Sequence, residues 1–281
     1  MGADRPETEG SGTWGSGKAA AEWWRGAAAR REAFGPATEL RLDRAGVKTG
    51  SWVLDVGAGA GDSALMAARR AGPAGYVLAT DISASMLEIA AESVRQVGLT
   101  NVGTRVADAQ HLDLASDSFD AAISRNCLML IPGHRQALTE IRRVLKPSSR
   151  FAAVVFSAPD RCPYIAIPHA IAFRLGRLTS PRLEEFGEFR LGAPGILQDA
   201  FSSAGFHDVT VHTVAIHRRF PTLSDAMQYA RGPLPLRELM TRLSPREQDQ
   251  AWAEIERALA QFVGPTGYDS PCELLIGVGT K

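Results

Sequence analysis

The residues best suited to chemistry are a glycine-rich turn and two further acids, each placed where a predicted strand ends. Val53-Leu-Asp-Val-Gly-Ala-Gly-Ala-Gly61 is a short apolar run that breaks into alternating glycines, and a helix-like segment follows it. Glycine lets a backbone approach a ligand closely, and a helix start presents unpaired N–H groups. Asp81 and Asp108 end the next two predicted strands. One carboxylate at each of three successive strand ends predicts a site for a nucleotide-like ligand.

Each acid has its own predicted role. Asp81 can accept hydrogen bonds from the two vicinal hydroxyls of a ribose, and Asp108 can accept one from an exocyclic adenine amine. Asp55, at the mouth of the glycine turn, is placed to hold an ammonium group directly or through water. The apolar neighbours expected to enclose the adenine ring are Ala109, Ile82 and Met86.

These residues depend on alternating strands and helices between Ser51 and Phe156. Short apolar runs alternate there with longer amphipathic segments, which is typical of a parallel sheet covered by helices on both faces. In such sheets, ligands bind beyond the carboxyl ends of the strands. The fold class is therefore α/β. A last strand, Glu273–Val278, is expected to pair antiparallel at the sheet edge.

Helical segments flank this core. We expect two helices between Ala19 and Ala45, interrupted at Gly35-Pro36, with Trp23 and Trp24 in the first. Residues 1–18 are rich in Gly, Ser and Thr and predict a flexible tail. The remainder, 19–281, is expected to be one domain with its core over 46–157 and insertions over about 158–195 and 219–265. The helix that begins at Asp62 is expected to be capped by Asp62 or Ser63.

The segments that carry a family resemblance are VLDVGAGAGD, ATDIS, ADAQHL, SFDAAISRNCLMLI and LTEIRRVLKPSSRFAAVVF. The region that they span resembles the class I S-adenosylmethionine-dependent methyltransferases, in the branch that includes menaquinone and ubiquinone C-methyltransferases and many natural-product enzymes. The resemblance implies a Rossmann-like, seven-stranded, mostly parallel sheet with a terminal antiparallel strand, and N-terminal helices and helical insertions that form a lid. Pro147-Ser148-Ser149 departs from the Pro-Gly-Gly usual in the family, at a turn away from the cofactor.

The resemblance also implies the cofactor, S-adenosylmethionine, and the residues that hold it. It places the methionine part against the glycine turn, the ribose on Asp81 and the adenine on Asp108. Ser124 and Arg125 would pass close to the sulfonium through their backbone. With the residues inferred above, the expected cofactor-binding set is Asp55, Gly57, Ala58, Gly59, Asp81, Ile82, Met86, Asp108, Ala109, Ser124 and Arg125.

Methyl transfer from a sulfonium is an in-line displacement, for which a protein supplies alignment and a dry site. We expect O- or C-methylation of a small, apolar or aromatic metabolite, of the kind found in secondary metabolism, with the two insertions forming the acceptor pocket. A base is needed only if the acceptor must lose a proton. His134 and His169 are the candidates, although a first-turn helix residue and a pocket wall are the plainer interpretations.

Other functions stay open at this point. A non-methylating reaction such as cyclisation would keep the same cofactor residues. A nucleotide-linked dehydrogenase is disfavoured because the turn has GxGxG rather than GxGxxG spacing. A non-enzymatic interaction protein is disfavoured by the intact set of glycines and acids.

The composition limits the classes of binding partner that we expect. Lys+Arg and Asp+Glu both number 31, so no basic excess favours nucleic acid or an anionic membrane. No apolar stretch is long enough to span a bilayer. Three scattered cysteines form neither a disulfide framework nor a metal-binding pattern, and no metal is expected. We expect a cytoplasmic protein, monomeric or homodimeric, whose partner is a small-molecule acceptor.

Overall fold

A mixed sheet organises the described residues, which in this computed structural model are 27–177, 187–232 and 234–281. The strands are β1 (Trp52–Val56), β2 (Tyr76–Asp81), β3 (Val102–Val106), β4 (Phe119–Arg125), β5 (Leu145–Phe156), β6 (His207–Phe220), β7 (Val263–Gly264) and β8 (Gly267–Thr280). The helices are α1 (Ala27–Ala45), α2 (Asp62–Ala71), α3 (Ala84–Gln96), α4 (His134–Val144), α5 (Pro163–Leu175), α6 (Ile196–Ser203), α7 (Leu223–Ala230), α8 (Leu234–Thr241) and α9 (Pro245–Leu259). Short 3₁₀ turns occupy Leu128–Leu130, Pro159–Arg161, Gly187–Phe189 and Ala260–Phe262.

The strand order is β3-β2-β1-β4-β5-β8-β6, and the two-residue strand β7 pairs with β8. Strands β1 to β5 are parallel, whereas β8 runs antiparallel to both of its neighbours. The order reverses between β1 and β4, so a crevice opens beyond the carboxyl ends of these two strands. The predicted α/β fold, with a mostly parallel Rossmann-like sheet and a terminal antiparallel strand, is confirmed.

The terminal strand does not lie at the sheet edge, and that expectation is wrong. Strand β8 is inserted between β5 and β6, and β6 forms the edge. Glycines let β8 fit against its neighbours: a Cβ on Gly277 would lie 2.9 Å from Leu197, and one on Gly279 would lie 2.8 Å from Phe206. Because the face of β8 that carries both glycines is covered by Leu197, Phe201 and Phe206, a side chain there would force the packing apart.

The predicted break at Gly35-Pro36 is also wrong, since α1 continues through both residues. A proline inside a helix removes one backbone hydrogen bond and usually kinks the helix. Here the packing of the helix outweighs that cost, because Phe34, Ala37 and Leu42 on α1 are buried in the main core. The start of the first predicted helix, with Trp23 and Trp24, and the predicted tail lie outside the described residues.

Helices α5, α7, α8 and α9 form a second apolar cluster beside the main core. Its buried members include Tyr164 and Phe173 on α5, Met227 on α7 and Ile255 on α9. Helix α5 precedes β6 in the chain, and the other three helices follow it. Together they pack over one wall of the crevice, in the place expected for the helical lid. No helix in the described ranges combines the length and apolar character needed to cross a membrane.

Candidate functional site

A cavity of about 570 Å³ lies at the carboxyl ends of the parallel strands. One side is lined by the glycine turn and the ends of β2 and β4, and the other by side chains from α5, α7 and α8. The predicted cofactor residues that line it are Gly57, Ala58, Gly59, Asp81, Ile82, Met86, Asp108, Ala109 and Arg125. Asp55 and Ser124 are buried behind this lining. The structure therefore brings nine of the eleven residues to one cavity.

The glycine turn has a conformation that side chains disfavour. Gly57 and Gly59 have φ angles of +68° and +55°, in the left-handed region. A Cβ on Gly57 would lie 2.1 Å from the sulfur of Cys127, which no real packing permits. The turn is joined to β2 by the Ala58 N–H, which donates to the Thr80 carbonyl at 2.9 Å. Glycine is therefore needed at position 57 for both its backbone angle and the space it leaves.

The Asp81 side chain, at the end of β2, also holds the glycine turn. Its Oδ2 accepts from the Gly59 N–H at 2.9 Å, and its Oδ1 accepts from the Ser83 N–H at 2.9 Å. Burial raises the pKa of Asp81, and these N–H groups together with that of Ile82 oppose the rise. Each carboxylate oxygen still has a lone pair for another donor. The carboxylate can thus hold the turn and accept two hydroxyls from the cavity.

Asp108 is held by its own loop. Its Oδ1 accepts from the backbone N–H of Gln110 at 2.9 Å and from the Gln110 side-chain amide at 3.1 Å. The same amide presents its oxygen to the Gly133 N–H at 3.1 Å. Gln110 itself lines the cavity. An incoming amine would therefore share the Asp108 carboxylate with Gln110, a residue that was not predicted for the site.

Buried charges lie beneath the glycine turn. Asp55 is fully buried, and neither of its oxygens has a hydrogen-bond partner among the described residues. Burial raises the pKa of Asp55 to about 6, although Arg41 and Arg125 oppose that rise. Burial likewise lowers the pKa of Arg41, on α1, to about 10, against the opposing effect of Asp55. Asp55 thus faces arginines of the protein itself, and direct contact with a ligand ammonium is closed to it.

The residues at the start of α2 hold these arginines and do not cap the helix. The N-cap is Gly61, with φ +88° and no side-chain cap, so the expected cap at Asp62 or Ser63 is wrong. Asp62 lies 3.5 Å from the Arg125 guanidinium, and the Ser63 hydroxyl accepts from Arg41. Both side chains follow the N-cap and are drawn toward the buried cations. Ser124 serves the same region by donating to the Val56 carbonyl at 3.0 Å.

The two candidate histidines lie in different places, and only His169 lines the cavity. His169 on α5 lines the cavity, with Nδ1 2.8 Å from the Ile165 carbonyl and Nε2 3.5 Å from Oε2 of the buried Glu188. A carbonyl only accepts, so Nδ1 carries a proton and Nε2 faces the carboxylate. His134 stands in the first turn of α4, outside the cavity lining. Burial, Arg190 and Arg135 lower its pKa.

Sequence reasoning missed Arg218, a buried residue that lines the cavity from β6. Its guanidinium lies 4.9 Å from the ring centre of Tyr229, 5.2 Å from Phe34 and 5.4 Å from Tyr164. A signal was present, because Ile216, Arg218 and Phe220 occupy alternate positions that all face inward. An arginine on the apolar face of a strand is unusual and marks a buried charge.

The Gly57→Ala substitution tests the turn. We expect it to lower the free energy of unfolding by about 3 kcal/mol, because strain at positive φ adds to the collision with Cys127. Gly98→Ala is the matched control, since Gly98 has φ +70° with open space around it, and it should cost about 1 kcal/mol. Equal effects in equilibrium denaturation would contradict the role of the Cys127 contact.

The buried Asp55 predicts a pH dependence of known sign. Its folded pKa of about 6 exceeds the ordinary value of 3.8, so the folded state binds the proton more tightly, and stability falls as pH rises from about 4 to 6. Relative to wild type, Asp55→Asn should therefore gain about 2–3 kcal/mol of unfolding free energy across this window. Asp120→Asn is the control of opposite sign. Burial raises the pKa of Asp120, but Lys146 and the Trp52 N–H outweigh burial and leave it lowered. The raised pKa would be contradicted if the difference in unfolding free energy between Asp55→Asn and wild type, measured by urea denaturation, did not change with pH.

Comparison with known proteins identifies the family. Residues 53–148 match the methyltransferase domain family. A ubiquinone/menaquinone biosynthesis C-methyltransferase, UbiE from Klebsiella pneumoniae, is 31% identical over 194 residues, which are 64% of this chain and 77% of the relative.

Solved structures share the fold. The YcgJ protein of Bacillus subtilis superposes with a TM-score of 0.58 and 22% identity, over 87% of this chain and 97% of that one. The [4+2]-cyclase SpnF superposes with a TM-score of 0.55 and 22% identity, over 88% of this chain and 80% of that one. The match to the methyltransferase domain family and the similarity to UbiE show that this chain belongs to the class I S-adenosylmethionine-dependent methyltransferases, in the branch that contains UbiE.

Proposed function

We propose that this enzyme transfers the methyl group of S-adenosylmethionine to oxygen or carbon of a small, apolar or aromatic metabolite. The observation that carries the proposal is the contrast between the two ends of one cavity. The end at the strands presents backbone N–H groups and the carboxylates of Asp81 and Asp108. The other end presents mainly apolar side chains, among them Phe34, Phe156 and Leu236. A polar cofactor and an apolar acceptor would thus meet at the middle of the cavity.

The strand end fits the parts of the cofactor. Asp81 would accept the ribose hydroxyls, because its oxygens keep lone pairs after binding the Gly59 and Ser83 N–H groups. Asp108 would accept the adenine amine beside Ala109. The turn Gly57–Gly59, which lines the cavity, would lie against the methionine part. Ile82 and Met86 would cover the ring, and Arg125 would contribute backbone near the sulfonium.

Asp55 and Ser124 would act on the cofactor indirectly. Asp55 would balance the charges of Arg41 and Arg125 beneath the turn, and Ser124 would hold the end of β4 to β1. We propose one domain over 19–281, in which the segments 158–195 and 219–265 build the acceptor end. The name of the UbiE relatives supports a quinone-type ring as one acceptor class.

The bound cofactor supplies an electrophilic methyl group, and this chain's residues supply alignment, exclusion of water and a proton acceptor where one is needed. We propose His169 for that last role. Its Nδ1–H is fixed on the Ile165 carbonyl, and its Nε2 lies 3.5 Å from Glu188 Oε2 in the wall of the cavity. The Glu188 carboxylate would stabilise the imidazolium formed when His169 takes a proton. His134, outside the lining, is not proposed as a base.

The ribose assignment predicts the effect of Asp81→Ala. Loss of two hydrogen bonds to a charged acceptor should weaken binding of S-adenosylhomocysteine by about 2–4 kcal/mol in calorimetric titration. Asp81→Asn, which keeps the shape and one acceptor oxygen, should lose less. Asp113→Ala, at an exposed position beyond the cavity, is the control and should bind like wild type. An unchanged dissociation constant for Asp81→Ala would contradict the assignment.

The type of reaction is tested by product mass. Purified enzyme is incubated with S-adenosylmethionine and a panel of phenols, hydroquinones and enolisable ketones. We expect one product to gain the mass of a methylene unit while an equal amount of S-adenosylhomocysteine forms. An isomeric product without S-adenosylhomocysteine would favour cyclisation, and no conversion of any compound would contradict the proposed acceptor class.

A further inference from the structure

Arg218 is a buried cation in the acceptor half of the cavity. It is 4% exposed, and its guanidinium contacts four aromatic rings, those of Phe34, Tyr164, Phe220 and Tyr229, at 4.9–5.6 Å. Aromatic faces attract a cation and form a suitable container for it. They carry no net charge, however, so they do not neutralise it.

No carboxylate of the described residues lies within the 4.0 Å salt-bridge distance of this guanidinium. Tyr229 shares a side-chain hydrogen bond with Arg218, and neither Tyr164 nor Tyr268 acts as a counter-ion. Burial raises the pKa of Tyr164 far above its usual range and that of Tyr268 to about 12, so both are neutral near pH 7. A buried charge without an ionic partner is costly, and proteins retain one mainly where it has a use.

The position of Arg218 indicates that its charge serves to bind the acceptor. Phe34 contacts both Arg218 and Arg125, with its ring 5.2 Å from the first guanidinium and 5.8 Å from the second. Arg125 contacts Asp62 at the glycine turn, so it belongs to the cofactor end. Arg218 instead contacts Tyr164 on α5 and Tyr229 on α7, the helices that line the other side of the cavity.

We propose that the methyl acceptor carries an anionic group, a carboxylate or an ionised enol or phenol, and that this group binds Arg218 while the aromatic walls enclose the rest of the molecule. This inference rests on the proposed function, because it specifies the acceptor of the same cavity. A guanidinium can donate two parallel hydrogen bonds to a carboxylate, so it would orient as well as attract the acceptor. The apolar surroundings exclude water and strengthen the attraction.

The test compares two probes of equal shape, 2-naphthoate and 2-naphthamide. Each is titrated into full-length enzyme saturated with S-adenosylhomocysteine, at neutral pH, so that the cofactor end is filled. We expect wild type to bind the carboxylate at least about tenfold more tightly than the amide. Equal affinities, preference for the amide, or no measurable binding of the carboxylate would overturn the proposal.

Substitutions test whether Arg218 causes the preference for the carboxylate probe over the amide. Arg218→Gln should abolish it, and Arg218→Lys should retain part of it because the charge remains. Arg219→Gln is the matched control: Arg219 is next in the strand, points to the opposite, exposed face and pairs with Asp269 at 3.1 Å, so its loss should leave the preference unchanged. A preference that persists in Arg218→Gln would overturn the assignment to Arg218.

S-adenosylhomocysteine binding separates the possible failures. Wild-type affinity for it in Arg218→Gln shows that the variant is folded and that Arg218 does not hold the cofactor. If the wild type binds S-adenosylhomocysteine but shows no charge preference between the probes, the anionic-acceptor inference fails alone. If the wild type binds no S-adenosylhomocysteine, the proposed function fails. Should Arg218→Gln not fold, the wild-type comparison and Arg218→Lys decide the question.

Discussion

The hydrogen bond from the Gly59 N–H to the Asp81 carboxylate joins the glycine turn to the end of β2, and the cofactor end depends on it. Without it, the turn would lose its link to the carboxylate that faces the cavity. The bond requires the left-handed glycines, because only they bring the N–H groups round to β2. It also requires the parallel register, which sets β1 beside β2 at the topological switch point.

Helix α1 connects the two ends of the cavity. Its Arg41 reaches the buried charges under the turn, while its Phe34 contacts both Arg125 and Arg218. At the cofactor end the buried Arg41 and Arg125 lie near the carboxylates of Asp55 and Asp62. At the acceptor end the buried Arg218 has no carboxylate of the described residues as an ionic partner. This polarity gives each ligand one place to bind, and it follows from packing α1 against both β4 and β6.

Local patterns predicted what local sequence controls. The alternation of apolar runs and amphipathic segments identified β1 to β5 and their helices. Glycine spacing and the acids at strand ends pointed to Gly57, Asp81 and Asp108, which line the cavity. The insertion of β8 between β5 and β6 was out of reach because it depends on pairing between distant segments. The alternation along β6 could have marked Arg218 as buried, but its aromatic surroundings were out of reach. The rings around it come from α1, α5, β6 and α7, which no short motif brings together. The continuous α1 shows tertiary packing overriding a helix-breaking residue.

The most direct measurement is a crystal structure of the enzyme with S-adenosylhomocysteine bound. We expect both ribose hydroxyls to lie within hydrogen-bond distance of the Asp81 carboxylate, the adenine beside Asp108 and the homocysteine part against Gly57–Gly59. Arg218 would then face an open acceptor space. A ribose held elsewhere, or the homocysteine carboxylate bound to Arg218, would contradict both the cofactor assignment and the division of the cavity.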